Sequence, residues 1–402
     1  MAMKILKTLG ALVALLLLAV LGMGFWGGSK VSEVVDAPLP PLVAATDPTQ
    51  VEHGRAIFRA VCEDCHRQDS SGRVTGGAMK GVPSFLGKFY SANITSHREA
   101  GIGAMSDGEL ARAIRYGIKR DGRRVLIMGH YGLDDADLSA VLGFMRSDDA
   151  LFAADPQAQP KSETGPLGKV VMAVMLGKVP LERPASGMKA PPKGATVEYG
   201  RYLAHNVYEC AGCHTPGLNP SKVDGDKAFS GGFKYAETST SVVYSSNLTP
   251  HATGLKGWTQ PQFARAMREG VTPNGYVMRP PMRRFRGMDD VEAEALFRFF
   301  ESLTPIDHEI PQGSVPRVKA AQGTPEQLFT SLGCATCHQE GAKFRTMLKQ
   351  SRAKPTVEVA KWIRNPESIA PGTQMPTYSE LLDETQALSL AGWVQEQAAL
   401  IP

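Results

Sequence analysis

The chain has 402 residues, more than one core normally holds, since single domains cluster near roughly 100 to 150 residues, so two or three domains are expected. Hydrophobic residues at 43% and charged residues at 21% lie near the globular average, which excludes wholesale disorder and a polytopic membrane protein. A formal charge of +4 without a long basic run gives no case for nucleic-acid binding, and 41 glycines with 28 prolines point to loop-rich domains with few long regular elements.

At the N-terminus, Lys4 and Lys7 precede an uncharged run from Leu9 to Trp26 centred on Leu15 to Leu18. This predicts one transmembrane helix over residues 4–27, a removed signal peptide being the alternative. Lysines before the span place the N-terminus in the cytoplasm and the body on the periplasmic side of a bacterial cytoplasmic membrane, single-pass. The Pro-rich stretch 28–48, which contains Asp36-Ala-Pro-Leu-Pro-Pro41, is expected to be a semi-rigid spacer lifting the body off the membrane. Two further Pro-, Lys- and Gly-rich stretches, 155–195 and 309–322, leave units 49–154, 196–308 and 323–402, sizes that suit independent domains. Within the second stretch Val170 to Leu176 is apolar but too short to span a bilayer; it is expected to be a helix packed between domains rather than a second membrane contact.

All six cysteines fall in three motifs, Cys62-Glu-Asp-Cys65-His66, Cys210-Ala-Gly-Cys213-His214 and Cys334-Ala-Thr-Cys337-His338. C-x-x-C-H is the attachment signature of c-type haem: two thiols one helical turn apart add to the porphyrin vinyl groups, and the adjacent histidine is held against the iron. A thioredoxin-like pair would need a preceding β-branched strand, a structural zinc site would need two such pairs close together, and disulfides would leave the repeated histidine unexplained. Three covalently bound haem c groups are therefore predicted, with His66, His214 and His338 as first axial ligands. Their attachment also takes place outside the cytoplasmic membrane, in agreement with the orientation of the anchor, and no stray thiol is present.

The first two units repeat each other. Asn93-Ile94-Thr95 corresponds to Asn247-Leu248-Thr249, and 35 residues separate these asparagines from Met128 and Met282. Between them, Leu110 to Gly117 matches Phe263 to Gly270 as an amphipathic helix closed by a glycine. All three units end on a helix opened by Asp134, Asp289 or Asp383 with an acid or amide three residues on, a pattern close to a capping box. A helix also leads into each haem motif, so every unit reads helix, C-x-x-C-H, loop, methionine, helix, and the fold class is mainly α: three tandem cytochrome c-type haem domains behind one N-terminal transmembrane helix.

The sixth ligand decides between carrying electrons and reacting with substrate, because histidine and thioether together leave no open iron site. In the third unit Met375 is the candidate and Met347 lies too near the motif to reach the opposite face. Met282 is the candidate in the second, with Met278 and Met288 as fallbacks. In the first the shared spacing selects Met128, with Met105 or His130 next. His53, His97, His205, His251 and His308 share no position among the units and receive no role. Asn93 and Asn247 hold a turn or hydrogen-bond a haem propionate; Arg279, Arg283, Arg284 and Arg286 pair with propionates or form a docking patch for an acidic partner.

Residues of about 50–305 carry a resemblance in Gly200-Arg-Tyr-Leu203, Cys210-Ala-Gly-Cys213-His214-Thr215, Gly231-Gly232, Asn247-Leu-Thr-Pro250, Ala264-Arg-Ala-Met-Arg-Glu-Gly270 and Pro280-Pro-Met282. This part resembles the three-haem cytochrome c subunits of membrane-bound bacterial dehydrogenases of the alcohol and gluconate type. The resemblance implies a subunit that accepts electrons from a quinoprotein or flavoprotein partner and passes them to ubiquinone or a respiratory carrier. The last unit, through Trp362-Ile-Arg-Asn-Pro366 and Pro371-Gly-Thr-Gln-Met375-Pro376, is similar instead to the compact single-haem cytochromes c appended to respiratory complexes. The expected function is a membrane-anchored relay between redox protein partners, dehydrogenase or respiratory complex subunits, that is not itself an enzyme. A peroxidase-like enzyme with an open site on the first haem is the alternative, and a mainly structural tether is a third.

Overall fold

The computed structural model describes residues 21–402 apart from 68–71, 80, 81, 83, 84, 126, 129–131, 177–186, 218–224, 237–241, 280, 315–322, 341, 343, 371, 372, 374, 380 and 402. Most of the expected transmembrane segment, with Lys4 and Lys7, lies outside the described residues, as does His130; residues 21–31 are helical. Among the described residues no helix is long and apolar enough to cross a membrane.

The remainder is mainly helical, and the three units follow one order. In the first, α1 (Pro48–Val61) leads into α2 (Glu63–His66), and α3 (Asp107–Tyr116) and α4 (Asp135–Met145) follow. A short α5 (Pro166–Leu176) leads to the second unit, where α6 (Val197–Tyr202) precedes α7 (Cys210–His214), α8 (Gln260–Glu269) and α9 (Asp290–Glu301). The third unit holds α10 (Pro325–Ser331), α11 (Cys334–His338), α12 (Thr356–Arg364) and α13 (Glu384–Ala399). Among the described residues, strands of two or three residues form three two-stranded antiparallel ladders, β1 (Gly77–Ala78) with β3 (Tyr90–Ser91), β2 (Gly87–Lys88) with β4 (Glu163–Thr164), and β5 (Lys234–Ala236) with β6 (Val242–Tyr244).

Local signals place these helices as expected. Gly117 and Gly270 end α3 and α8 in the left-handed conformation, at φ 61° and 77°, and reciprocal capping boxes start α9 at Asp289 and α13 at Asp383. At α4 the box is one-sided. Asp134 accepts from the backbone of Ala136 and Asp137, but the Asp137 carboxylate turns away to His53 and Tyr202.

Close helix crossings set the frame of the first two units. A Cβ on Gly54 would meet the Ala140 carbonyl oxygen at 1.9 Å, and one on Gly200 would meet that of Ala295 at 2.0 Å, so α1 crosses α4, and α6 crosses α9, at backbone contact. Eight residues separate Gly54 from Cys62 but ten separate Gly200 from Cys210. A π-helical turn over Leu203–Val207, followed by Glu209 at φ 51°, takes up the difference between the crossing and the haem motif.

The cores do not follow the linkers. Edge-to-face rings of Phe58, Phe144 and Phe152 in the first unit and of Phe229, Phe299 and Phe300 in the second belong to one continuous apolar cluster. Each fully buried ring contributes roughly 1.5–3 kcal/mol, and the cluster continues from the first unit into the second. Polar contacts reinforce the seam: the Tyr202 hydroxyl donates to Asp137 at 2.5 Å and accepts from the Asp134 amide at 2.9 Å, while His53 Nε2 meets Asp137 at 2.8 Å. The third unit has its own cluster, built on Leu328, Leu382, Leu390 and Ala398, which among the described residues takes in Val277 from the second.

The linkers are also held down. Val35 donates to the Gly122 carbonyl at 2.8 Å, Ala44 to Asp107 at 2.8 Å and Ala45 to Ser139 at 2.9 Å, and Ala37 is buried, so the Pro-rich stretch lies along the first unit instead of acting as a free spacer over these residues. Its prolines leave amides and carbonyls free for such pairing because they cannot form a helix of their own. The apolar helix α5 buries Met172 and Ala173 as a packed helix does; its backbone at Lys169 and Val170 meets Gly27, and Gly168 meets Leu86, so its neighbours are the N-terminal helix and the first unit. Ser314, in the third stretch, pairs twice with Val242.

Candidate functional site

Each C-x-x-C-H motif forms a short helix, which brings its two sulfurs to one side and projects the histidine from the last turn. Burial pushes the thiols of Cys62, Cys210 and Cys334 up to about 12, so the free thiols are protonated at neutral pH. Among the described residues no three His, Cys, Asp or Glu side chains converge as a metal-binding group.

The histidines are oriented alike. Nδ1 of His66 donates to the Ala92 carbonyl at 2.8 Å, that of His214 to Ser246 at 2.7 Å and that of His338 to Phe344 at 2.9 Å. Since a carbonyl only accepts, Nδ1 carries the proton and Nε2 keeps its lone pair, the tautomer an iron ligand needs. Burial holds His214 and His338 below the usual imidazole range and so favours this neutral form.

The carbonyls at Ala92 and Ser246 stand immediately before Asn93 and Asn247, and those asparagines fix them. Asn93 Oδ1 accepts from the amide and hydroxyl of Thr95, at 2.8 and 2.7 Å, and its Nδ2 donates to the carbonyls of Asp155 and Gln157, both at 2.9 Å. Asn247 accepts from Thr249 in the same way, at 2.9 and 2.8 Å, and donates to Thr253 and the Ile306 carbonyl. All four valences of each side chain are used, so these asparagines hold turns and have nothing left for a propionate. In the third unit the carbonyl is six residues beyond His338, and no such asparagine is needed.

The first two motifs face a common space. A cavity of about 2750 Å³ is lined by Cys62, Cys65 and His66 together with Cys210, Cys213 and His214. A single-ligand pocket measures roughly 300–1,000 Å³, so this one accommodates two large planar groups. Met128 and Met282 lie on its wall, as do Met105 and Met278, while Met288 is buried in the core and its carbonyl accepts from Arg268. The third motif's Cys334, Cys337 and His338 are not on that wall. Beside them Met375 packs against the third core, and its sulfur accepts from Trp362 Nε1 at 3.1 Å. The donor set, tautomers and cavity fit c-type haem, which when bound supplies one-electron exchange.

Three of the arginines around Met282 are engaged inside the molecule. Arg279 donates to the Gln312 carbonyl at 3.2 Å. Arg283 donates to the Ala60 carbonyl of the first unit at 2.8 Å and lies 3.8 Å from Asp64. Arg286 pairs with Glu367 and donates to the Met375 carbonyl at 3.0 Å. Periodicity carries no trace of these long-range contacts. The same holds for Tyr378, whose hydroxyl donates to the Leu332 carbonyl at 3.3 Å.

Helices that present paired cysteines and a carbonyl-held histidine to an apolar cavity define a c-type cytochrome, and residues 51–148 match the cytochrome c family. Over most of its length the chain is related to cytochrome c subunits of dehydrogenases. It is 24% identical over 331 residues to the gluconate 2-dehydrogenase cytochrome c subunit of Pantoea cypripedii, covering 76% of this chain and 73% of that one. It is 28% identical over 343 residues to the alcohol dehydrogenase (quinone) cytochrome c subunit of Gluconobacter oxydans, covering 77% and 68%. With a nicotinate dehydrogenase subunit of Pseudomonas putida it shares 23% identity over 388 residues, 90% of this chain but only 31% of that protein's length. These relatives do not single out the third unit as a separate single-haem type.

Proposed function

We propose that the protein is a membrane-anchored three-haem c-type cytochrome that relays electrons from a membrane-bound or periplasmic dehydrogenase to a respiratory acceptor, as a subunit of a larger complex. The observation that carries this reading is the threefold recurrence of a motif histidine whose Nδ1 is held by a backbone carbonyl, next to paired cysteines. His66, His214 and His338, with Met128, Met282 and Met375, would hold the irons, and Cys62, Cys65, Cys210, Cys213, Cys334 and Cys337 would carry the thioether links. Haem held by protein ligands alone would supply one-electron exchange with its potential set by those residues and the buried walls, and no substrate would be transformed on the chain.

The common cavity supports exchange between the first two centres, because both motifs open into it. The third centre, on its own core, serves as an entry or exit. The uncharged run within residues 4–27 is the anchor and places the body in the periplasm.

Visible spectra of the reduced, purified protein with and without carbon monoxide test the reading, together with intact mass. Three covalent haems and no carbon monoxide shift are expected. A haem that binds carbon monoxide readily would replace the relay with a peroxidase-like enzyme, and a mass equal to the bare polypeptide would remove haem chemistry altogether.

A further inference from the structure

The stretch from Met282 to Arg286 is a junction of all three units. Met282, Arg283 and Phe285 line the cavity of the first two centres, and Arg283 reaches the first unit at Ala60. Arg284 and Arg286 are absent from that wall, and both have neighbours in the third unit, Tyr378 beside Arg284 and Met375 beside Arg286. Arg286 holds the Met375 carbonyl, donates to the Thr377 hydroxyl at 3.5 Å and pairs with Glu367.

Arg284 differs from its neighbours. Its Nη1 and Nη2 are shut off from solvent, and neither has a hydrogen-bond acceptor among the described residues. Gly270 makes room for the guanidinium: a Cβ there would meet Arg284 Nε at 2.4 Å. Its electrostatic neighbours are Tyr378, Arg286, a like charge that makes the position worse, and Glu269, whose carboxylate is engaged by Arg265 at 3.1 Å. Guanidinium does not lose its proton in proteins, and a buried cation left unpaired costs several kcal/mol, so this placement calls for an anion. The Glu367 carboxylate is engaged with Arg286.

We propose that Arg284, contributed by the second unit, binds a carboxylate of the third unit's haem, with Arg286 fixing the Met375 loop beside it, so that the third haem site is completed across the unit boundary. The ligand class is a porphyrin propionate, for which a planar fork of donors is suited. The proposal rests on the three-haem reading and makes the second unit a determinant of the third centre's potential. Neutralising a propionate disfavours the ferric state, so loss of Arg284 lowers that potential.

The test uses the full-length, haem-loaded protein. A Cys334→Ser, Cys337→Ser variant, which lacks the third haem, first identifies which redox wave belongs to that centre; a wild-type mass with fewer than three haems would remove the underlying reading instead. Arg284→Gln is expected to keep three haems and to shift the third centre's oxidised-to-reduced ratio about tenfold toward oxidised at fixed potential, 59 mV for one electron. The other two waves stay in place. Arg284→Lys, which keeps the charge but not the fork, shifts it by less. A third wave unmoved in Arg284→Gln, or moved no more than the other two, overturns the proposal. Should Arg284→Gln not assemble, Arg284→Lys decides: a shift of under threefold confined to the third wave supports the proposal, and an unmoved wave or a common shift of all three overturns it.

Discussion

The first two units and the third reach one arrangement with different packing. In the first two, entry and exit helices touch at the backbone through Gly54 on Ala140 and Gly200 on Ala295. In the third, the ring of Phe329 on α10 lies 5.0 Å from that of Trp393 on α13, tilted at 54°. Glycine permits the closest approach but admits almost no substitution, whereas two rings fill a wider gap and tolerate adjustment. The tight pair also merges into a single core, while the looser unit keeps a core of its own. A helical frame around a haem motif is thus compatible with either close backbone contact or side-chain filling, and the choice determines whether neighbouring units fuse.

The largest break in this contrast comes from the cores. Phe300→Ala, at a position 1% exposed, is expected to cost about 3–5 kcal/mol and to lower a joint transition of the first two units in calorimetry. Leu390→Ala, also 1% exposed, is expected to cost about 2–5 kcal/mol and to lower only the third unit's transition. Two separate shifts for the first two units after Phe300→Ala would show their cores to be uncoupled.

Gly200→Ala sets a methyl group against an immovable carbonyl and is expected to cost about 3 kcal/mol, most of it felt by the first two units together. Denaturant unfolding followed by Soret absorbance checks it, and a neutral result would mean that α6 and α9 can move apart freely. Trp362→Phe removes the hydrogen bond to the Met375 sulfur, worth about 1 kcal/mol, and is expected to lower the third centre's potential because the thioether becomes a better donor. The first two centres serve as the internal control in a redox titration.

The smallest effect concerns the seam. The hydrogen bond to Asp137 holds the His53 imidazole above its usual 6.5, and the direction of linkage follows. A group whose pKa is raised on folding contributes fully below its unfolded value and loses that contribution as pH climbs through the folded one. Wild type is therefore expected to lose stability as pH rises from below 6.5 through the raised value, and His53→Gln to show a flatter profile by thermal melts.

What was legible in the sequence followed from short-range chemistry. The haem motifs, the left-handed glycines at 117 and 270 and the caps at Asp289 and Asp383 each depend on residues close in the chain, and the repeat of Arg115 and Arg268 shows as a match between two helices. Arg115 donates to the Leu133 carbonyl and Asp135, and Arg268 to the Met288 carbonyl and Asp290, so the repeated helix carries a repeated clamp. The asparagine turns were legible too, and the structure chooses the turn over the propionate. Hidden were features set by distant partners. Asp137 leaves its capping role for His53 and Tyr202, the Pro-rich stretch lies on the first unit, and Arg284 and Arg286 cross to the third. Composition marks a stretch as irregular, but irregular backbone still has amides and carbonyls to satisfy, and the nearest surface supplied them.

The shared cavity has a further consequence for how such a chain is inherited. Because its wall is drawn from both halves of the duplication, neither half could be exchanged for an unrelated cytochrome without exposing an apolar face to water. The pair must evolve as a unit, whereas the C-terminal module, with a self-sufficient interior and only a few reaching side chains to match, can be replaced or lost at much lower cost.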